Sequence, residues 1–532
     1  MHRFTKILAR RLMFAVLLGG ISSAALAETV FNKGNGADPT TFDPQQMAVV
    51  AEAVIAVDLF EGLMTYSADG NAVPGAAESW AVSDDGLTYS FKLRADGKWS
   101  DGTPVTAADF VFGWQRLVDP ETGSPYAANL DAVANARDIR TGARRPADLR
   151  VRAIDARTLE VTLAAPTPYF VASLAHYATA AVSRANVDRF GADAFKPGHL
   201  VSNGAYSLTE AVPQDHVKLT RNPHFHDAAS IRIDTVMLTP TADIEVELRR
   251  FRGGRLDMTY DLSGQQIQAL QETVPNQVHV TPYRGTYYYA FNLTHEPWRG
   301  SPELRHALSL AIDRDMLART VTRSHELPAY TFVPPGTFDF PAWQPKAARL
   351  TQAQRDAKAR ELFAKAGYGP DRPLKLELIY NVGESHERIA RAIAEMWKKK
   401  LGVTTEFRTQ EWGPFQATLE GRRFSDIARN GWLGDYDDAY NFLQLEPDGS
   451  GPLNATGYAN PKYRALMAQA ARETDPRRRG RMLQQAERIM IDDLPLIPIY
   501  RYMSRHAVSP AVKGWVDNVQ DVHPTRWLSI ER

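Results

Sequence analysis

The sequence contains no cysteine. That absence removes disulfides, thiol nucleophiles, iron–sulfur clusters and every cysteine-based zinc site at once. An excess of either charge is missing too: 62 Lys and Arg balance 62 Asp and Glu, which leaves no electrostatic footprint for nucleic acid. Beyond the amino terminus no stretch reaches the ~18 uninterrupted apolar residues that a membrane span needs. Catalytic signatures are equally scarce, with no G-x-S-x-G elbow, no H-E-x-x-H, no P-loop and no complete G-x-G-x-x-G. What is present is a chain of 532 residues, 44% hydrophobic and 23% charged. That is an ordinary globular composition with enough length for about three domains.

The first 27 residues read as a secretory signal. Arg3, Lys6, Arg10 and Arg11 open it without an acid, an apolar stretch runs from Leu12 to about Ile21, and Ala25-Leu26-Ala27 is an A-x-A box. The apolar run is short for an anchor, and no cysteine stands at the box to carry a lipid. The expectation is an exported chain cleaved between Ala27 and Glu28. Losing those four cations leaves 58 basic against 62 acidic residues, so the mature chain is mildly acidic.

Periodicity then gives local structure. Leu87, Tyr89, Phe91 and Leu93 alternate with polar residues, as do Leu159, Val161 and Leu163, and again Leu374, Leu376 and Leu378. Each pattern predicts a half-buried strand. After the last of these, Ile389, Ile393, Met396, Trp397 and Leu401 recur at helical spacing, with Lys398–Lys400 in the last turn and Gly402 as the stop. Val403, Thr405 and Phe407 follow as a strand, so the segment reads as a βαβ unit with parallel pairing. Asp475-Pro476 predicts a helix start, with Arg477, Arg478, Arg479 and Arg481 on its solvated face.

Few residues suggest chemistry alone. His224-Phe225-His226-Asp227 has metal-like spacing without a second ligand cluster, which favours a structural role. Asp435, Asp437 and Asp438 resemble part of a calcium loop that lacks its glycine and closing Glu. No cofactor is expected.

Several blocks resemble the oligopeptide-binding proteins of bacterial ABC importers, the family-5 extracellular solute-binding proteins. The longest is AESWAVSDDGLTYSFKLRADGKWSDGTPVTAADFVFGWQRLVDPETGSPYA, from Ala77 to Ala127. DLFEGLMTY, VSNGAYSL, RNPHFHDA, TYYYAFN, LRHALSLAIDRDML, ARNGWLGDYDDAYNFL and DLPLIPIYRY continue the likeness in order. The resemblance implies an α/β, periplasmic-binding-protein type II-like fold: two α/β lobes with a hinge plus an additional inserted domain. It places lobe I in residues 28–60, 184–284 and 502–532, the extra domain in 61–183, and lobe III in 285–501. It also implies a non-enzymatic monomer that encloses short peptides and docks transiently on a membrane ABC permease. An extended peptide offers backbone groups that a protein strand can pair, which gives affinity independent of side chains.

The resemblance implies site residues as well. Asp435 stands where the family has the carboxylate that takes the peptide α-amino group. Arg429 matches an arginine lining the same cavity, and His386 a histidine near the ligand carboxylate. Trp412, Tyr126, Tyr283, Tyr288 and Tyr502 align with pocket aromatics, Gly431 and Trp432 lie in the Asp435 block, and Glu52 is the acid left near the start. Departures accompany these: Ala48 for an acid, Glu420 for a pocket arginine, and no lysine around Thr320–Thr322, where Arg319 and Arg323 stand as substitutes. Gly285 and Leu433 occupy the positions of a cysteine pair found in some members. The alternative is the same scaffold holding a murein peptide, haem or a chelated metal. A secreted peptide hydrolase is the third reading, for which no nucleophile or metal set is evident.

Overall fold

The computed structural model describes residues 28–444 and 455–532, so the signal segment and its cleavage point lie outside the described residues. Strand β1 (Val30–Gly34) and helix α1 (Val50–Leu59) come first. The chain next forms an antiparallel sheet from β2 (Ala77–Val82), β3 (Thr88–Leu93), β4 (Val151–Asp155) and β5 (Thr158–Thr162), ordered β2-β3-β5-β4. Tyr89, Phe91 and Leu93 point inward from β3, and Leu159 and Val161 from β5, so the expected alternation is met. Helix α2 (Ala107–Val118) starts at a Thr106–Asp109 capping box and buries Phe110, Trp114 and Leu117. The chain then returns through β6 (Tyr206–Val212), β7 (His216–Arg221) and β8 (Thr235–Thr239), and β8 pairs parallel with β1. One continuous core, from Phe31 to Leu238 with Met258, Val508, Val512 and Leu528 added, serves both sheets.

A second core is built on a six-stranded sheet. Its strands are β9 (Val278–Phe291), β10 (Leu327–Pro328), β11 (Lys375–Asn381), β12 (Thr404–Gln410), β13 (Ile427–Leu433) and β14 (Leu496–Ala507), ordered β10-β14-β9-β13-β11-β12. Helix α3 (Glu384–Leu401) connects β11 to β12, which pair parallel as the βαβ reading requires. Ile389, Ile393 and Trp397 of α3 are buried against the sheet, and Gly402 closes the helix in the left-handed region. Helix α4 (Trp412–Glu420) follows β12, and α5 (Pro476–Asp493) packs into the same core through Leu483, Ala486 and Met490.

The two cores define two lobes, joined by the antiparallel pair β9 and β14. Between Pro282↔Met503 and Thr286↔Arg501 their register slips, so Tyr283, Arg284 and Gly285 oppose Tyr502 alone. Such a bulge bends a ladder locally. Gly285 and Leu433 are cross-strand partners on β9 and β13, and a Cβ on Gly285 would land on the Leu433 side chain.

One helix-face expectation is corrected. Arg477, Arg478 and Arg481 of α5 are exposed, but Arg479 is buried, donating through Nη2 to Asp438 Oδ1 at 2.8 Å and through Nη1 to its other oxygen. It turns inward because an acid of the opposite segment supplies the counter-charge that an interior guanidinium needs.

Candidate functional site

Strands β11, β12 and β13 run parallel, and their carboxyl ends share one edge of the large sheet. Ligands of open α/β sheets bind beyond such an edge, where loops leave the strands. Asp435 lies two residues past β13, His386 in the first turn of α3 after β11, and Trp412 at the start of α4 after β12. Val382 N–H donates to Gln410 C=O at 2.9 Å and ties the ends of β11 and β12 together.

The Asp435 loop is organised by Asn441. Its amide oxygen accepts from Trp432 Nε1 at 2.8 Å and from Asp435 N–H at 3.3 Å, while its Nδ2 donates to Asp435 Oδ2 at 3.2 Å. Burial pushes the Asp435 pKa up to about 6, and no cation among the described residues opposes that rise. The carboxylate is therefore held in place without a counter-charge. Tyrosines gather around it from both lobes. The Tyr66 hydroxyl lies 3.5 Å from the Asp435 carbonyl oxygen. Tyr126 packs on His176 and Tyr177 at ring distances of 4.4 and 5.8 Å. Burial and then the Asp435 charge raise the pKa of Tyr126 to about 12, and those of Tyr66, Tyr177 and Tyr283 rise as well.

A positive pole lies on the same strand. Arg429 in β13 is 9% exposed and has no acid beside it among the described residues. Its Nη1 donates to Asn381 Oδ1 at 3.0 Å and its Nη2 to the Tyr502 hydroxyl at 3.1 Å, while the guanidinium sits 4.9 Å over the Tyr287 ring. Its Nε has no partner. His386 Nδ1 is 3.4 Å from the Tyr287 hydroxyl, and burial followed by the Arg429 charge lowers its pKa to about 3. His386 is thus neutral at physiological pH, and Arg429 carries the charge alone.

Gly431 gives Tyr502 its position, because any Cβ there would occupy the place of the Tyr502 hydroxyl. Trp432 is half-buried and Trp412 is 50% exposed at the sheet edge. Two expected site residues are not brought to the edge. Tyr288 is fully buried with its ring edge-on to Phe332, since neighbours on a strand face opposite ways and Tyr287 takes the Arg429 side. Glu52 folds its own loop: one oxygen accepts from Thr40 N–H and hydroxyl, the other from Ala48 and Val49 N–H. Ala48, Arg319, Arg323 and Glu420 are exposed. Residues that sequence reasoning did not single out are Tyr66, Tyr177, Tyr287, Asn381 and Asn441. Tyr66, Tyr287 and Asn441 sit inside family-like blocks, whereas Asn381 shows itself only through the pairing of β11 with β13.

Metal chemistry finds little purchase. His226 contacts Glu61 at 2.9 Å, and Arg526 pairs with the same carboxylate at 2.8 Å, so that histidine belongs to a buried ionic cluster. Among the described residues only His506, Asp521 and His523 bring metal-type ligand atoms within 4.8 Å of one another. Protons account for that group. His506 faces the Thr259 carbonyl through Nδ1 and Asp521 through Nε2, so both nitrogens donate. The Asn518 amide faces His523 Nδ1, which leaves the His523 Nε2 proton pointing at Asp521.

The chain is 37% identical over 520 residues to the periplasmic oligopeptide-binding protein OppA of Escherichia coli (strain K12), covering 96% of this chain and 95% of that protein. It superimposes on Haemophilus influenzae OppA in complex with RPPGFSPFR with a TM-score of 0.84 at 35% identity, covering 95% of this chain and 99% of that one. Against the E. coli murein tripeptide-binding protein MppA, at 37% identity, the TM-score is 0.85, covering 95% and 99% of the two chains. For the unliganded open form of MppA it is 0.78, with 95% and 98% covered. The family model for bacterial extracellular solute-binding proteins, family 5 (middle), matches residues 71–451, and with two lobes meeting over the edge that carries Asp435 and Arg429, the chain belongs to that family.

Proposed function

We propose that this protein captures short peptides between its two lobes and delivers them to a membrane ABC permease for import. One observation carries the reading: Asp435 and Arg429 are opposite charges six residues apart at one sheet edge, each fixed by hydrogen bonds and neither given an ionic partner among the described residues. A buried unpaired charge is costly unless a ligand completes it. A peptide supplies the ammonium for Asp435 and the carboxylate for Arg429. Six extended residues span at most ~20 Å, so the two poles suit a ligand of a few residues. Tyr66, Tyr126 and Tyr283 give the amino end an aromatic wall with polar tips, which binds apolar and polar side chains alike.

The names of the relatives, the absence of any membrane-crossing helix among the described residues, and the signal-like amino terminus support a periplasmic protein cleaved between Ala27 and Glu28. Monomeric action, transient docking on the permease, a purely binding role without catalysis and the three-part domain division belong to the same reading. Mass spectrometry of ligand released from protein purified from the periplasm tests it, together with calorimetry using tri-alanine. Peptide in the released fraction, with a loss of about 2–5 kcal/mol of affinity in Asp435→Ala, is the expected result. No peptide and no heat with any di- to pentapeptide would end the proposal. A second reading, a modified peptide such as a murein fragment, is favoured by the likeness to MppA and by the absence of lysine at Thr320–Thr322. A released ligand bearing D-residues or a γ-linkage would select it.

A further inference from the structure

The inserted sheet β2–β5 shares its core with the first lobe, yet an aromatic side chain of the segment after β5 reaches across to the second. Phe170 anchors the segment after β5 in the first core, edge-on to Tyr89 at 5.1 Å and to Trp114 at 6.4 Å. Its neighbour Tyr169 points the other way. The Tyr169 ring stacks on Tyr436 at 4.8 Å and 7°, and on Tyr440 at 5.2 Å and 21°. The Arg479 guanidinium lies 5.5 Å from the same ring, held by Asp438. Tyr436 lies in the loop that begins with Asp435, and Tyr440 opens the short helix Tyr440–Leu443 that carries Asn441, the residue that orients the Asp435 carboxylate.

From this contact we propose that Tyr169 is a positioning residue: by clasping the 435–441 loop it holds the second lobe closed over the amino end of the ligand, so the inserted segment sets how long a ligand stays bound. This rests on the peptide-binding reading for the ligand but not for the closure. Stacked rings and a cation over a ring are attractive only when the lobes meet, so their energy falls entirely on the closed state. Removing it lowers the closed fraction and weakens apparent affinity by the same factor. The loss appears in dissociation, because the open protein still meets its ligand at the same rate.

The absence of cysteine makes the closure measurable. Arg152→Cys in β4 and Lys399→Cys in α3, both exposed, place one spin label on each lobe without competing thiols. Electron–electron resonance distances are then compared with stopped-flow binding of tri-alanine in wild type, Tyr169→Phe, Tyr169→Leu and Tyr169→Ala. The expected result is a shift toward longer inter-lobe distances in the Leu and Ala variants without added ligand. Their tri-alanine dissociation should be at least tenfold faster with association changed less than about twofold, and Tyr169→Phe should match wild type. Unchanged distances and unchanged dissociation in Tyr169→Leu overturn the proposal. If Tyr169→Ala fails to fold, Tyr169→Leu against Tyr169→Phe still decides. If wild type binds no tri-alanine, the peptide reading is what fails, and the distance shift alone then upholds or rejects the clasp.

Discussion

The Tyr502 hydroxyl accepts a hydrogen bond from Arg429 Nη2 at 3.1 Å and occupies the space in which a Gly431 side chain would begin. Three residues thus form one device: a strand glycine gives room, a tyrosine from the hinge strand fills it, and the arginine is aimed by that tyrosine. Gly431→Ala is expected to push the ring aside and lower tri-alanine affinity about tenfold, because Arg429 loses a fixed partner while remaining buried. Adding Tyr502→Phe removes the clashing atom and should recover part of the loss. A calorimetric double-mutant cycle reads this coupling. Purely additive effects would show that Gly431 acts elsewhere.

What the sequence disclosed, and what it did not, follows from the range of each interaction. The β3 alternation and the α3 stripe are patterns of period 2 and 3.6 set by neighbours, and both formed as read. The triple tyrosine Tyr287–Tyr289 shows the limit. The resemblance points to Tyr288 alone, but the register of β9 against β13 and β14 turns Tyr287 toward Arg429 and Tyr288 to the opposite face, with both rings fully buried. Glu52 looks available in sequence, yet its four hydrogen bonds come from a loop whose path depends on the fold. Arg479 reads as solvated until Asp438, forty-one residues earlier, is brought beside it. Tyr169 and Asp435 are far apart along the chain, and no local pattern announces a contact across two lobes.

On the peptide-binding reading proposed above, Arg429 is a stability cost retained for binding. It is buried, paired with a neutral amide and a hydroxyl, and offered no carboxylate by the described residues. Replacing it with methionine, of similar length, removes the desolvation penalty. The unliganded Arg429→Met protein should melt no lower than wild type in scanning calorimetry, while tri-alanine affinity falls at least tenfold. A fall in Tm of several degrees with intact affinity would assign Arg429 to the core instead.

Glu487 should behave in the opposite way. This fully buried carboxylate accepts N–H bonds from Phe332 at 2.8 Å and Val333 at 2.7 Å, and a third from the Trp343 indole. Arg501 of β14 holds the carbonyls of the same two residues at 2.7 and 2.9 Å. Glu487→Leu leaves three donors without acceptors, and a loss of about 3 kcal/mol or more is expected in urea unfolding. Affinity for tri-alanine should stay within about twofold, since none of these groups touches the sheet edge.

The pKa of Asp435 makes ligand binding depend on pH with a definite sign. Burial raises it to about 6 in the free protein, above the ordinary value near 3.9. A folded-state pKa above the unfolded one means that the folded protein binds the proton more tightly. Asp435 therefore favours folding below about pH 4, and that contribution is lost as pH rises through about 6. Binding runs the other way, because an ammonium needs the ionised carboxylate and its approach draws the pKa down. Below about pH 6 each binding event must expel a proton, so affinity should fall by up to tenfold per pH unit. His386, already neutral because burial holds its pKa near 3, does not titrate in this range. Calorimetry at pH 5.0 and 7.5, in buffers of different ionisation enthalpy, measures the proton count directly. Wild type is expected to release close to one proton at pH 5.0; at pH 7.5 Asp435 releases almost none, and the α-amino group of the peptide, with a pKa of about 7.7–8.0, takes up about a third of one. Asp435→Asn should lose the slope, bind weakly at both values, and gain thermal stability over wild type at pH 7.5 but not at pH 4. Equal affinity at the two pH values in wild type, with no buffer dependence of the heat, would remove Asp435 from the amino-end site.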